Sequence, residues 1–328
     1  MTTFYAAWNR DDNVLRESTS GGAFSAFAEK VLMTGGVVVG ASYGKRLEVR
    51  HEVVDSLDGL KLLRGVKYVY GVIDRAVYGS MRKALAGGRD VLFVGLPCQS
   101  AAVRKMFGDA SNLLVCDLVC FGAPPQTLWR KYVDWMARKQ GKRLIDVNPR
   151  DKFHGWGRKT YYRYEWEDGK VTRKLSLFDP YAQAFYSTLG FRKCCFACPF
   201  RGLDRVSDIT LCDFWGAERL GLSPNVMAGG VSGVAVHTKK GAEAFAAANL
   251  ERVEVDKEDF VAGNVPVVSS ATMPAMWADF AEDVKAMDFG GLVRKYKLQV
   301  TKTQVAYQWL RSCAARLVRR ILLRAIAL

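Results

Sequence analysis

The chain has 328 residues, 49% hydrophobic and 25% charged, an ordinary globular balance with ample material for a core. Eight unevenly spaced cysteines are too few for a disulfide scaffold, and no uncharged apolar run is long enough to span a membrane. The net charge of +15 is concentrated at one end: residues 291–328 hold nine Lys or Arg and no acid, leaving +6 elsewhere. The basic residues also lack interleaved aromatics, so no nucleic-acid partner is expected. MTTFYAAWNRDDN has neither the basic nor the apolar region of a signal peptide. The thiols are therefore expected to be reduced in a cytoplasm, where grouped cysteines bind metal or carry redox chemistry.

In chain order, residues 3–8 read as a strand followed by a polar turn. Ser18 to Ser20 are N-cap candidates for a helix over Ala23–Met33, with apolar spacing at Phe24, Phe27, Ala28 and Val31. Small residues at Ser20-Gly21-Gly22 leave that helix start open to an anion, or serve as a plain cap and turn. A buried strand from Gly35 to Tyr43, a strand over Glu48–Val54 and a helix over Ser56–Leu63 lead to Arg64-Gly-Val-Lys67-Tyr. Its two cations suit a phosphate or a solvated surface. Ile73–Ala86 is predicted helical. Asp90–Gly95 is a strand entering Leu96-Pro-Cys98-Gln99 and a helix through Val103. Asn112–Val119 is the next strand, running into Cys120, and Gln126–Lys139 its helix.

Alternating strands and helices imply an α/β fold with a mainly parallel mixed sheet, whose ligands sit beyond the strands' carboxyl ends. Over 141–178 the pattern changes to a β-hairpin insertion, Tyr161–Trp166 and Val171 onward about an Asp168-Gly169 turn, expected to lie over that edge. Tyr181–Leu189 is helical. Ile209–Leu211 is a short strand, Ser223–Gly230 a loop, Val231–His237 a strand, Lys239–Asn249 a helix and Val253–Val255 a strand. A linker near Asn264–Ser270 precedes helical residues near Met276–Met287. The last segment, 305–328, carries Leu310, Ala314, Leu317, Ile321, Ala325 and Leu328 on one side and five arginines on the other. It is read as an amphipathic helix for an anionic membrane surface or an acidic partner, or as a helix packed on its own domain.

The densest chemistry lies in Phe191–Gly216, which opens with Cys194, Cys195 and Cys198. A Cys-x-x-Cys pair is half of a zinc or iron–sulfur site. Cys98 and Cys120 stand at expected strand ends. The expectation is that Cys98, Cys120, Cys195 and Cys198 meet around one redox metal centre. Two alternatives are a compact zinc site of Cys194, Cys195, Cys198 and Cys212, and a Cys195–Cys198 dithiol.

Ser20-Gly-Gly, Arg64-Gly-Val-Lys-Tyr, Gly95-Leu-Pro-Cys-Gln, Asp117-Leu-Val-Cys-Phe-Gly-Ala-Pro, Cys195-x-x-Cys-Pro-Phe-Arg and Ser207-Asp-Ile-Thr-Leu-Cys-Asp-Phe-Trp-Gly, taken over about residues 14–255, resemble the coenzyme F420 hydrogenase/dehydrogenase beta-subunit family. The resemblance implies an iron–sulfur flavoprotein oxidoreductase, with FAD beside a [4Fe–4S] cluster, passing electrons between a hydride donor or acceptor (a deazaflavin or other reductant) and one-electron carriers. Bacterial members commonly accompany polysaccharide-synthesis genes. It places the cluster on Cys98, Cys120, Cys195 and Cys198, and the flavin near Ser20, Gly21 and Gly22, with Arg64 and Lys67 as phosphate or ribityl contacts and Gln99, Asp208, Asp213 and Phe214 lining the rest.

Leu96, Phe121 and Val66 stand where relatives usually carry Thr, His and Ser, each replacing a polar group with an apolar one. No cysteine precedes Cys98, so the ferredoxin module of many relatives is absent and a separate electron-transfer protein or small-molecule reductant is the expected partner. The expected organisation is an N-terminal part over 1–92 and a cysteine-bearing part over 93–255, both within the flavin-binding domain. A helical extension over 256–328 follows, with peripheral attachment at the inner membrane surface open to its basic end. The alternative function is a non-catalytic assembly component with structural zinc or a vestigial cluster.

Overall fold

The computed structural model describes residues 2–301 and 303. Its strands are β1 (Thr3–Asn9), β2 (Val37–Tyr43), β3 (Val49–Val54), β4 (Val91–Gly95), β5 (Leu113–Leu118), β6 (Leu144–Asp151), β7 (Tyr161–Trp166), β8 (Val171–Leu175), β9 (Ile209–Asp213), β10 (Ser232–Val236) and β11 (Leu250–Val255). Eight form one sheet in the order β11-β1-β10-β9-β5-β4-β2-β3, and β6-β7-β8 form another. The central strands β2, β4, β5 and β9 are parallel, and the flanking pairs are antiparallel. This is the expected α/β class, with the parallel part held in the middle of a mixed sheet.

The central strands are apolar on both faces, as a sheet covered by helices requires. Val38, Leu92 and Leu114 pack under helices Ala23–Met33, Leu57–Leu63 and Lys239–Ala247. Val37, Val39, Phe93 and Val115 point the other way, under helices Arg75–Ala86 and Pro97–Phe107. The second sheet shows the period of two: Tyr162, Tyr164 and Trp166 alternate inward onto Trp129 and Tyr132 of helix Gln126–Gln140 and onto Phe280 and Phe289. Buried Asp179 ties this layer together, accepting hydrogen bonds from the Tyr132 hydroxyl at 2.9 Å and the Tyr164 hydroxyl at 2.7 Å.

Several elements differ from expectation for local reasons. The helix bearing Cys98 continues past Val103 to Phe107, because Arg104 turns inward to Asp208 and Gly108 (φ 62°) ends it. Ser223–Gly230 contains helix Pro224–Gly229, capped by the Ser223 hydroxyl. Strand β6 escaped the sequence reading because its register shifts twice against β7 and breaks the alternation. Helices Asp12–Glu17, Lys257–Gly263 and Phe289–Lys295 are short, and the sequence reading assigned none of them. The expected division at 92/93 falls inside β4, so both parts contribute to one sheet. The amphipathic segment 305–328 lies outside the described residues. Among those described, no helix is long and apolar enough to cross a membrane.

His51 on β3 is 2% exposed and stacks on Phe93 at 5.6 Å. Burial, opposed by the Val72 and Val94 backbone and aided by the Lys67 charge, pushes its pKa down to about 4. The unfolded chain then binds the extra proton first, so stability is full above pH 6.5 and falls as pH drops towards 4. Urea titrations at pH 7 and pH 5 should show a loss of roughly 2 kcal/mol from this residue, and His51→Phe should remove that share of the pH dependence. An unchanged pH dependence in the variant would contradict the assignment.

Candidate functional site: four thiols at the carboxyl edge of the sheet

Three separate segments deliver the cysteines. Gly95, the end of β4, leads through Leu96 and Pro97 to Cys98 in the first turn of its helix, where the amide dipoles favour a thiolate. The end of β5 leads to Cys120, whose neighbour Val119 donates from its backbone N–H to Leu211 at 2.9 Å. Cys195 closes a 3₁₀ turn, Lys193–Cys195, and Cys198 follows with its backbone N–H on the Ser270 hydroxyl at 3.3 Å. Cys195 is 7% exposed, and Cys98, Cys120 and Cys198 are partly buried.

The thiols of Cys98 and Cys120 each feel Cys195 and Cys198 electrostatically, and Cys120 also feels Cys98, so the four form one electrostatic group. Burial raises the Cys98 pKa against Arg192, and pushes Cys120 up to about 12 against Arg201. Burial also raises Cys195. Such thiols stay protonated at neutral pH unless a soft cation displaces the proton.

Among the described residues no three Cys, His, Asp or Glu side chains converge tightly enough to hold a single ion. One zinc, with Zn–S bonds of about 2.3 Å, would need its sulfurs within roughly 4 Å of one another. A cubane carries its thiolates on separate iron corners and suits a wider cradle. Four cysteine thiols are the donor set such a cluster takes. The alternative zinc set is not assembled: Cys212 sits on β9 with its Sγ against the Gly233 carbonyl and packs on the core of Phe4, Phe214 and Phe260, away from the Cys195 cluster with Phe185 and Phe191. Cys194 is exposed beside Cys195, and Cys116 is a fully buried strand residue.

The wall is aromatic. Phe121 meets Phe191 edge-on at 5.1 Å and Phe185 at 6.1 Å, and both pack with Cys195. Arg201 braces the loop from within: Nη1 donates to the carbonyls of Cys120 and Pro266, and Nη2 to that of Phe121 at 3.0 Å. The residues 64–71 run past this wall. Tyr68 packs on Phe185 at 4.3 Å, the Arg192 guanidinium lies 3.5 Å over the Tyr70 ring, and the Gly71 carbonyl accepts from Gln99 at 2.6 Å.

At the start of the same segment, Arg64 and Lys67 line a cleft of about 490 Å³ with Tyr43, Asn148 and Arg163. Arg64 is held there by Glu17 at 2.5 Å and Glu29 at 2.9 Å, with its Nε on Ser25. Lys67 donates to the carbonyls of Leu62, Leu63 and Arg64, and burial pushes its pKa down to about 7 against Asp146 and Glu52.

Other expected contacts have different employment. Ser18 and Ser20 do not cap helix Ala23–Met33; their hydroxyls donate to the Val14 and Val231 carbonyls at 2.7 and 2.8 Å. The cap is Gly22 at φ 80°, without a side-chain hydrogen bond, while Gly21 is pressed between β1 and β10. Gln99 caps its own helix by accepting from the Leu96 N–H at 2.9 Å. Asp208 is fully buried at the amino end of β9, held by Arg104, Val115 and Thr238, roughly 16 Å along the strand from Asp213. Phe214 is 1% exposed in the core formed with Phe4 and Phe260.

Asp213 does reach the carboxyl edge, level with Cys120 if the β5–β9 register is carried on. It receives both Nη atoms of Arg150, at 2.8 and 3.1 Å, and the Trp156 indole N–H at 2.9 Å. Arg150 and Trp156 come from the insertion, which thus lies over that edge. Lys152 donates to the carbonyls of Leu15, Ser20 and Gly229, tying the Ser20 turn to it. Arg150 and Lys152 were missed with β6. Arg192 and Arg201 carried a visible signal, cations beside cysteines.

Fold and site define a cysteine-bearing protein with a mixed α/β sheet. The chain belongs to the coenzyme F420 hydrogenase/dehydrogenase beta-subunit family, and the family's model for the C terminus of that subunit matches residues 88–260. A chain of the xenon-derivatised F420-reducing [NiFe] hydrogenase complex from Methanosarcina barkeri is similar in fold, with a TM-score of 0.50 and 17% identity over 89% of this chain and 91% of that one. No curated protein matches. Family membership gives the chain a redox role of the beta-subunit kind.

A methyl group on Gly21 would press on the Ala7 carbonyl and lie 2.5 Å from the Ser232 nitrogen, both backbone atoms of core strands. Gly21→Ala is expected to cost about 2 kcal/mol or more in urea unfolding. A neutral substitution would show that the Ser20 turn does not pack as described.

Proposed function

We propose that this chain is an iron–sulfur flavoprotein oxidoreductase that exchanges electrons between a hydride donor or acceptor and a one-electron partner. The observation that carries the reading is the placement of Cys98 and Cys120 just beyond the adjacent strands β4 and β5, with the Cys195 turn packed against Phe121, in a chain of this family. A flavin beside an iron–sulfur cluster supplies, when bound, the conversion between paired and single electrons.

The protein's own residues divide the remaining tasks. Cys98, Cys120, Cys195 and Cys198 are the cluster ligands. Phe121, Phe185 and Phe191 pack around Cys195 and keep water from that side of the site. Arg64 and Lys67 offer cationic contacts in their cleft for a phosphate-bearing cofactor such as FAD. Asp213 and Arg150 offer a carboxylate and a guanidinium at the sheet edge. The segment 64–71 joins cleft and thiols, since Arg64 and Lys67 stand at one end and Tyr68, Tyr70 and Gly71 at the other. The hydrogenase complex from which the similar structure comes supports a partner subunit or electron-transfer protein as the one-electron side. A place in surface-polysaccharide synthesis belongs to the same proposal, resting on the resemblance described above.

A non-catalytic assembly role is favoured by one observation: the Arg64 guanidinium is already paired with Glu17 and Glu29 and has little charge left for a phosphate. That role predicts that Cys195→Ser destabilises the protein without changing any turnover.

Protein purified without oxygen should be brown, with bound flavin and about four irons and a matching amount of labile sulfide per chain. Cys120→Ser or Cys198→Ser should lose the iron, and Cys212→Ser should keep it. Zinc in place of iron, or neither flavin nor iron, would defeat the proposal.

A further inference from the structure

The buried and half-buried arginines of this fold are matched by carboxylates with two exceptions. Arg64 has Glu17 and Glu29, Arg104 has Asp208, Arg150 has Asp213, and Arg205 has Asp117. Arg192 and Arg201 have no such partner among the described residues. A guanidinium taken out of water without a counter-charge is costly, so an unmatched one needs an anion from another source. Each also keeps a buried Nε with no hydrogen-bond partner. An orphaned N–H on a cation is a donor awaiting an acceptor.

Both face the same group. Arg201 encloses Cys120 by donating to the carbonyls of Cys120 and Phe121. Arg192 lies flat over Tyr70, with its own N–H on the Ala123 carbonyl at 3.3 Å, between the segment bearing Cys98 and its own Cys194-Cys195 turn. The ionisable groups that act on Arg192 are Cys194, Cys195, Tyr70 and Cys98. The two cations flank the Cys195–Cys198 turn in the chain, Arg192 facing Cys98 and Cys195 and Arg201 the Cys120 loop.

We propose that Arg192 and Arg201 are positioning residues for the inorganic group held by Cys98, Cys120, Cys195 and Cys198, and that their charge and free N–H groups stabilise its reduced form and set its potential. The inference rests on reading those cysteines as cluster ligands. A thiolate-bound cluster gains negative charge on reduction, and behind a wall of phenylalanines that charge is poorly screened. Nearby cations and N–H donors to sulfur therefore favour the electron-rich state and raise the potential. Lysine would keep the charge and lose the planar fork.

The test compares the unsubstituted full chain with Arg192→Gln, Arg192→Lys and Arg201→Lys, all prepared without oxygen. Iron and labile sulfide are assayed first, and the midpoint is then read by a redox titration followed by electron paramagnetic resonance. Arg192→Gln is expected to keep its iron and to shift the one-electron equilibrium at least tenfold towards the oxidised form, which is 59 mV for each factor of ten. Arg192→Lys should recover part of that shift, and Arg201→Lys should move the midpoint in the same downward direction. An unchanged midpoint in Arg192→Gln, or iron lost equally from Arg192→Gln and Arg192→Lys, would overturn the inference and leave these arginines a purely structural role. Absence of iron from the unsubstituted chain would instead end the cluster reading, and this inference with it.

Discussion

The parallel pairing of β5 with β9 is the constraint on which the site depends. It sets Cys116 against Ile209, Asp117 against Thr210 and Leu118 against Leu211. Everything between the two strands, helix Gln126–Gln140, the second sheet and the cysteine turn, leaves the sheet at the carboxyl end of β5 beside Cys120, and the chain then has to run back to the amino end of β9 at Asp208 before it re-enters the sheet. Sliding the pair by one residue would turn each side chain to the opposite face. It would also part Asp213 from Arg150. Deeper in the sheet the register is pinned by a polar lock: Asp117 takes the Thr210 hydroxyl at 2.5 Å and Arg205 at 3.2 Å. That lock gives Asp117 and Arg205 a purely architectural use.

The local physics at the carboxyl edge follows from what the pairing brings there. Cys98, Cys120 and Cys195 lie beside the phenylalanine wall, where burial opposes their ionisation. The same enclosure makes each nearby cation count for more than it would in water. Phe121 contributes by packing edge-on against two other rings, so an apolar residue at that position completes the wall. The second sheet closes the edge from outside, with Arg150 and Trp156 both fixed to Asp213.

The sequence revealed the elements whose pattern is strictly local. Helix Ala23–Met33, both arms of the Tyr161–Leu175 hairpin and the buried strands β4 and β5 fall where periodicity and turn residues predict them. The placement of Cys98 and Cys120 beyond the neighbouring strands β4 and β5 was legible because strand ends in an α/β sheet share an edge. What stayed hidden depends on partners far away in the chain. Asp208 reads as a neighbour of the cysteines but is used by Arg104 and Thr238 at the other end of its strand. Phe214 follows Asp213 directly, yet the alternation of a strand end sends it into the core. Gln99 stands next to Cys98 and is used as its helix's cap. Strand β6 was invisible because bulges erase the alternation on which such readings rest.

Residues 264–277 fasten the cysteine turn to the rest of the fold. They hold Cys198 through Ser270, Arg201 through the Pro266 carbonyl, Gly202 through the Val267 carbonyl, and Phe191 through the Trp277 indole at 2.8 Å. None of these anchors can form until the chain beyond β11 has been made. During synthesis the thiol-bearing turn is therefore left without its clasp until residues 264–277 have emerged from the ribosome. Its maturation is a late event, and a truncation placed just after β11 would leave a complete central sheet and an unfinished pocket.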